Sequence, residues 1–450
     1  MPRAEDHPLP QPQFHEPSFS EGKPTPDPTG FIVEHESDKE QYAAVEKLLK
    51  TQVVGFPKSR MAPGELYSLE HALGARGPSV VEKIKGAGRI VFHAIGDSGA
   101  TTGGKQYGHE LTVADQVTMD CNITETANRP AFLLHLGDVV YDFGESQYYY
   151  DQFYAPFRDY PAPIFAIPGN HDSFVLPDTR AGETPLDIFM RNFCAPKPVV
   201  TREAASLHRT AMTQPGVYYA LDVPFARVLC LFSNALEDPG VISSQKGRGD
   251  WHGVPDYQLE FLEAQLDKIK AEKYDGAVLI AVHHPPFSYG VKSKKDSAGG
   301  LHGSSTDMLH QIDTICARVG VYPHAFISGH AHNYQRYTRT VQLGGKTFDV
   351  PFIVCGDGGH HVNAIVRAAR GEHAHEPHFG TDVKYLDANP AVEAKGLELE
   401  KYNDTGYGYL RISADKEHLT IGFHLSGGSI AQSRFDKVTV NLKSHEMEAN

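Results

Sequence analysis

Cysteine is scarce in this chain of 450 residues: Cys121, Cys194, Cys230, Cys316 and Cys355 are all there is. The odd count and the lack of a CxxC spacing exclude a disulfide framework and a zinc knuckle, leaving room for one local disulfide at most. Apolar neighbours ("VLCLF", "FIVCGD") mark most of these thiols as packing residues. Basic residues are also in deficit, 42 against 56 acidic ones, for a net charge of -14. That balance excludes the broad basic footprint of a nucleic-acid binder. It leaves anionic substrates open, because a metal ion can reverse the sign of a site locally. No apolar run approaches a membrane span. The opening "MPRAEDHPLPQPQFHEPSFS" has no apolar h-region. A soluble, cytoplasmic, reducing compartment is therefore the expectation, although an exported form with its signal removed would read the same.

What remains is an ordinary globular composition, 40% apolar and 22% charged, long enough to bury a sizeable core. Residues 1–30 are Pro-rich and read as an extended or disordered lead. Residues 31–88 read as a helical cover. Ser37 and Glu40 form a capping-box pattern ahead of Tyr42, Val45, Leu48 and Leu49 at helical spacing, and a second short helix is expected over Pro78 to Lys85. From Arg89 the texture changes to apolar strands alternating with amphipathic helices, among them Tyr257 to Glu272 and Asp307 to Val319. Such alternation predicts an α/β layered domain over 89–443, followed by a short tail, 444–450. Its last third reads differently: a hairpin about Gly344-Gly345, then closing antiparallel strands in "GYGYLRIS", "LTIGFHL" and "KVTVNL".

Five apolar runs stop at polar, metal-competent residues. They end in Asp97 ("IGDSGA"), Asp138 and Tyr141 ("LGDVVYD"), Asn170 and His171 ("PGNHD"), His283 and His284 ("VHHPP"), and His330 and His332 ("SGHAH"). In open α/β sheets the site lies beyond the carboxyl ends of the strands, so these five ends can converge. Any one Gly-Asp is a common turn; the ordered set of five is far more specific.

That set, GD…GDxxY…GNHD…HxP…GHxH, resembles the calcineurin-like metallophosphoesterases, and within them the purple acid phosphatases, over roughly residues 89 to 360. The wider superfamily opens on DxH, whereas Asp97-Ser98-Gly99 lacks the histidine and Tyr141 stands where the purple branch places its tyrosine. The resemblance implies an αββα sandwich of two mixed sheets flanked by helices. It implies a bridging Asp138, one metal completed by Asp97, Tyr141 and His332, and another by Asn170, His283 and His330. His171 would address the phosphate and protonate the leaving oxygen. Asp172 would either orient His171 or cap a turn. Asn170 and His302 are the candidate substrate contacts, with a solvated loop as the alternative for His302. His93 and His135 read as core histidines, His284 as a packed or outer histidine, and His360 and His361 are not needed for the metal shells. The β-sandwich domain that precedes plant-type enzymes is not evident in residues 1–88.

The chemistry stands apart from the family name. Two metals roughly 3.5 to 4 Å apart clamp the attacking and leaving oxygens of a phosphoryl displacement, and metal-bound hydroxide attacks in line. A phenolate is a hard anionic donor and favours a trivalent ion, so the expected pair is Fe(III) with divalent Fe, Zn or Mn. Two aspartates and a phenolate supply three negative charges; Fe(III) with a divalent ion supplies five positive ones, leaving the site attractive to a phosphate dianion even with hydroxide bound. The expected activity is phosphomonoester hydrolysis. The alternatives are a phosphodiesterase acting on nucleotides or lipid head groups with the same site, and a non-catalytic metal-binding scaffold. A structural zinc or calcium site fits poorly, with no cysteine cluster for zinc and histidine a poor calcium ligand. Oligomeric state is not legible.

Overall fold

Residues alternate along each central strand between two apolar cores, and this periodicity of two sets the layering. In the computed structural model Ala277, Leu279 and Ala281 face one core, while Val278, Ile280 and Val282 between them face the other. The structure describes residues 56–100, 104, 106–141, 143–174, 184–234, 240–244, 254–289, 302–365, 396–427 and 434–448. The Pro-rich lead, the helix expected after Ser37 and most of the loop before His302 lie outside these residues.

The strands in chain order are β1 (Tyr67–Ser68), β2 (Ile90–Ile95), β3 (Leu133–His135), β4 (Ile164–Ala166), β5 (Tyr219–Val223), β6 (Ala226–Leu231) and β7 (Ala277–Val282). There follow β8 (Ala325–Ser328), β9 (Tyr334–Leu343), β10 (Lys346–Cys355), β11 (Leu397–Asn403), β12 (Gly408–Ala414), β13 (His418–Leu425) and β14 (Arg434–Asn441). They form an eight-stranded sheet, β1-β5-β6-β7-β8-β10-β9-β11, and a six-stranded sheet, β14-β13-β12-β2-β3-β4. Both are mixed. In the first, β6, β7, β8 and β10 run parallel. In the second, β2, β3 and β4 run parallel, and β12 to β14 close the edge antiparallel.

The inner core between the sheets is aromatic and branched-aliphatic. Phe92 stacks on Phe132, and Leu134, Phe165, Leu221, Val228, Leu279, Ile327 and Ile353 fill the same layer. Helices cover the outer faces. The helices are α1 (Leu69–Ala72), α2 (Gly77–Ala87), α3 (Tyr107–Asp120), α4 (Asp187–Phe193), α5 (Tyr257–Glu272) and α6 (Thr306–Val319). In α5 one face buries Phe261, Leu262, Leu266 and Ile269, and in α6 Met308, Ile312, Ile315 and Val319 do the same. Gly320, at φ 80°, ends α6 in the left-handed conformation that a side chain disfavours. The αββα layering expected from the alternation of elements is therefore the observed one.

Among the described residues before Arg89, β1 joins the larger sheet. β1 pairs parallel with β5, and Arg60 donates to the carbonyls of Cys194, Ala195 and Gln214. All five cysteines are free and buried, as packing thiols. Among the described residues no helix is long and apolar enough to cross a membrane.

Candidate metal centre

The parallel strands of the two sheets end on the same edge of the molecule, and their terminal residues meet there. Asp97 follows β2, Asp138 and Tyr141 follow β3, Asn170 and His171 follow β4, His283 follows β7, and His330 and His332 follow β8. The turns are sharp. Asp97 (φ 58°), Asp138 (φ 54°) and His330 (φ 68°) all sit in the left-handed region, as does His302 (φ 63°). Each such residue costs on the order of 1–3 kcal/mol, and strain of this kind gathers where side chains must be aimed. Two glycines make room for that aim. A Cβ at Gly169 would collide with Oδ1 of Asp138, and one at Gly329 would stand 2.5 Å from Oδ2 of Asp97.

The loops also hold one another. The backbone N–H of His330 donates to Oδ2 of Asp97 (2.8 Å), and that of His171 to Oδ1 of Asp138 (3.0 Å). The Tyr141 hydroxyl lies 3.1 Å from Oδ1 of Asp97, 3.0 Å from Oδ2 of Asp138 and 3.1 Å from Nε2 of His332. His283 donates from Nδ1 to the Leu136 carbonyl (2.8 Å), which turns its Nε2 to within 3.0 Å of Oδ1 of Asn170 and 3.4 Å of Oδ2 of Asp138. The same amide oxygen is 3.1 Å from Nδ1 of His330. All seven ligand candidates are buried and brought together. Their donor atoms form two groups, Asp97–Asp138–His332 and Asp138–His283–His330, each within 4.8 Å and both containing Asp138.

The electrostatics follow from three acidic groups in a buried space. Burial pushes the Asp97 carboxyl well up; the neighbouring Asp138 adds to this and His283 opposes it. Asp138 is also buried, but the imidazoles of His283 and His171 outweigh that penalty and hold it below the usual carboxylate range. His283 is the complement: burial lowers it, Asp138 and Asp97 outweigh burial, and it rises to about 9. Burial and the two carboxylates raise the Tyr141 phenol well above its ordinary value. His330 and His332, buried among other imidazoles, fall well below theirs.

The chain's family can now be stated. The model of the calcineurin-like phosphoesterase family matches residues 91–334, more than half of the sequence. The chain belongs to that family. Among solved structures it is similar to the purple acid phosphatase PPD1 from yellow lupin (Lupinus luteus) seeds, at 16% identity and a TM-score of 0.49, with 78% of this chain and 54% of that one covered. It thus spans about half the length of the lupin protein. It is also similar to GAP50, the anchor in the inner membrane complex of Plasmodium (12% identity, TM-score 0.46, 79% of this chain and 89% of that one). PhoD is a third such structure (12% identity, TM-score 0.43, 80% and 71%). No curated protein matches significantly.

The structure bears on two residues for which the sequence left alternatives open. His302 is not a solvated loop residue: it is 6% exposed, and its Nδ1 lies 3.0 Å from Nε2 of His330. Asp172 makes the contacts of a turn-holding residue. Its carboxylate accepts the backbone N–H groups of Val139 (2.9 Å), Val140 (3.2 Å) and Gly169 (2.9 Å), tying the Asp138 turn to the Asn170 turn. His93 and His135 are core histidines with polar partners, Asp120 and Tyr160 for the first and Ser98 for the second. His284 is buried, with Nδ1 2.7 Å from the Ser233 hydroxyl. Sequence reasoning underrated His360 and His361. The His360 ring stacks on Tyr141 at 3.6 Å, and Nε2 of His361 lies 3.0 Å from Nδ1 of His332. Their signal was visible, since "GDGGHH" follows β10 as the other motifs follow their strands.

Proposed function

We propose that this chain is a dinuclear metal-dependent phosphomonoesterase of the purple acid phosphatase type, with 89–443 as its catalytic unit and 31–88 as a cover. The observation that carries the reading is the Tyr141 hydroxyl, within about 3.1 Å of one oxygen of each aspartate and of Nε2 of His332. The donor set fits a metal pair. Two buried donor groups share Asp138, a carboxylate has two oxygens with which to bridge, and each group adds imidazole nitrogen. Asp97, Tyr141 and His332 would hold one ion, Asn170, His283 and His330 the other. Protons held on Asp97 and Tyr141 by burial and mutual repulsion would leave when cations took their place. A phenolate among the ligands favours Fe(III) beside a divalent ion.

Bound there, such a pair supplies Lewis-acid polarisation of the phosphoryl group and activation of water. The chain's own residues do the rest. His171 is pinned through its backbone N–H to Asp138, and its ring lies against Tyr141 at 4.3 Å. From that position its imidazole N–H would donate to a phosphate oxygen or protonate the leaving ester oxygen. His302, set by His330, would contact the substrate from the other group, as would Asn170, whose Oδ1 lies against His283 and His330 of that group. Asp172 keeps the two turns in register by accepting three backbone N–H groups.

The test is turnover of a nitrophenyl phosphate monoester beside the bis-ester, with metal content measured and Asn170→Ala as control. Metal-dependent preference for the monoester, lost in the variant, is the expected result. Preference for the bis-ester would replace this reading with a phosphodiesterase on the same site. No turnover of either with metals bound would favour a scaffold. Tyr141→Phe should remove a tyrosinate-to-iron absorption band while the protein stays folded; a variant that kept the band would remove Tyr141 from the ligand set.

A further inference from the structure

Tyr141 is held at two ends, its backbone N–H and carbonyl by the Gln152 amide and its hydroxyl by Asp97, Asp138 and His332. Its hydroxyl is fixed by the carboxylates, but a phenol can still swing about that oxygen unless something sets the plane of its ring. Three imidazoles approach that ring: His171 tilted at 4.3 Å, His332 edge-on at 6.0 Å, and His360, the nearest, face to face. The His360 imidazole lies parallel to the phenol, 3.6 Å between centroids and 10° between planes. At this separation, shorter than the roughly 4.5–7 Å of ordinary aromatic pairs, the two faces are in direct van der Waals contact, so neither ring can tilt without colliding with the other. His360 is itself doubly anchored. Its backbone N–H donates to the Asp97 carbonyl (3.0 Å), and its Nδ1 lies 2.8 Å from the Gly99 carbonyl. A carbonyl only accepts, so Nδ1 carries the proton and the ring cannot turn without losing that bond. Both anchors belong to the turn that aims Asp97, so the ring plane of Tyr141 is referenced to the same turn as its carboxylate partner.

We infer that His360 is a positioning residue for Tyr141: its stacked imidazole sets the plane of the phenol and so the direction from which that oxygen meets a metal. The inference deepens the phosphatase reading and rests on it only for the metal-bound consequence. Outer partners that orient a ligand typically change metal affinity by about 10–100-fold when removed. The neighbouring His361 backs a different ligand, with Nε2 3.0 Å from Nδ1 of His332, and serves as the contrast.

The experiment uses the full chain with His360→Ala, His360→Asn and His361→Ala. Asn retains a side-chain N–H able to reach the Gly99 carbonyl but has no ring, which separates stacking from simple anchoring. In metal-free protein labelled on tyrosine, the Tyr141 ring resonances, identified by their loss in Tyr141→Phe, should lose the imidazole ring-current shift in both His360 variants. They should stay close to wild type in His361→Ala. In iron-loaded protein both His360 variants should displace the tyrosinate absorption band, weaken metal binding by about 10–100-fold and lower kcat more than they raise KM. Unmoved Tyr141 resonances in His360→Ala, or a wild-type spectrum and metal affinity in His360→Asn, would overturn the proposal. If wild-type protein binds metal but shows no tyrosinate band, the ligand reading of Tyr141 fails, and the metal-free resonances still decide whether His360 sets the ring.

Discussion

His283 and His324 stand at opposite ends of two neighbouring parallel strands, and both are buried. His283 follows β7 at the edge where the motifs meet. His324 precedes β8 at the other edge, where its Nδ1 accepts the Val278 N–H (2.9 Å), its Nε2 donates to the Leu442 carbonyl (3.0 Å), and its ring stacks on His445 at 4.1 Å. Burial acts on both in the same direction, against the charged form. At His324 only backbone partners oppose it, and the imidazole falls to about 4. At His283 the carboxylates of Asp138 and Asp97 outweigh it, and the imidazole rises to about 9. Equal burial thus leaves an imidazole held neutral at one edge and one held charged at the other. The anions make the difference.

The two edges consequently give the metal-free protein opposite pH slopes. The folded pKa of His283 lies above the ordinary 6.5, so its stabilisation is full below 6.5 and is lost as pH rises through about 9. The folded pKa of His324 lies below 6.5, so the unfolded chain binds more protons beneath that pH. Stability then falls as pH drops from 6.5 towards about 4, and His445, lowered to about 3, extends the fall.

The largest effect should come from erasing the contrast at its source. Asp138→Asn removes the charge common to both donor groups and should lower kcat/KM by on the order of 10³-fold or more, since a lost metal centre forfeits several kcal/mol of transition-state stabilisation. In the metal-free variant His283 should titrate well below 9, as a core histidine does. Nitrogen NMR of the ring reads this directly. A value that stayed near 9 would show that something other than Asp138 sets the chemical edge.

Asp172 offers a smaller and sharper test. Asp172→Ala leaves three buried N–H groups without their acceptor and should cost about 2–3 kcal/mol of stability by chemical denaturation, with turnover falling alongside as the Asp138 turn loosens. Activity lost with no change in denaturation midpoint would return Asp172 to the role of orienting His171.

Much of this was readable in the sequence because it depends on local chemistry. Apolar runs broken by Gly-Asp, Gly-Asn-His or Gly-His mark where strands stop, and the boundaries of α5 and of the Gly344-Gly345 hairpin follow from periodicity and turn residues. The two-residue β1 was not legible, because it exists only by pairing with β5 in a tertiary contact. His302 was ambiguous for a related reason. A Gly-rich flank reads as solvated, and nothing local reveals that the loop turns His302 back onto His330. His360 and His361 were seen but assigned no use, because a stack on Tyr141 and a bond to His332 link β10 to strands more than a hundred residues earlier or to the end of β8. The left-handed backbone of Asp97, Asp138 and His330 left only a weak trace in residue type: Asp and His adopt it more often than other non-glycine residues, but most of them in a chain do not.

The mildest change sharpens the comparison from the packing side. In His324→Gln the amide oxygen can still accept the Val278 N–H and the amide nitrogen can still donate to the Leu442 carbonyl, but the group no longer titrates. At pH 7 stability should therefore stay within about 1 kcal/mol of wild type. Between pH 6.5 and 4 wild type should lose an additional amount, at most on the order of 2–3 kcal/mol, that the variant does not. Urea midpoints taken across that range in metal-free protein measure the difference, and parallel acid limbs for the two proteins would mean that His324 is not neutral in the fold. Because the substitution lies at the edge away from the candidate metal centre, the alkaline limb set by His283 should be the same in both. That separation of limbs is what assigns each slope to its own edge of the sheet.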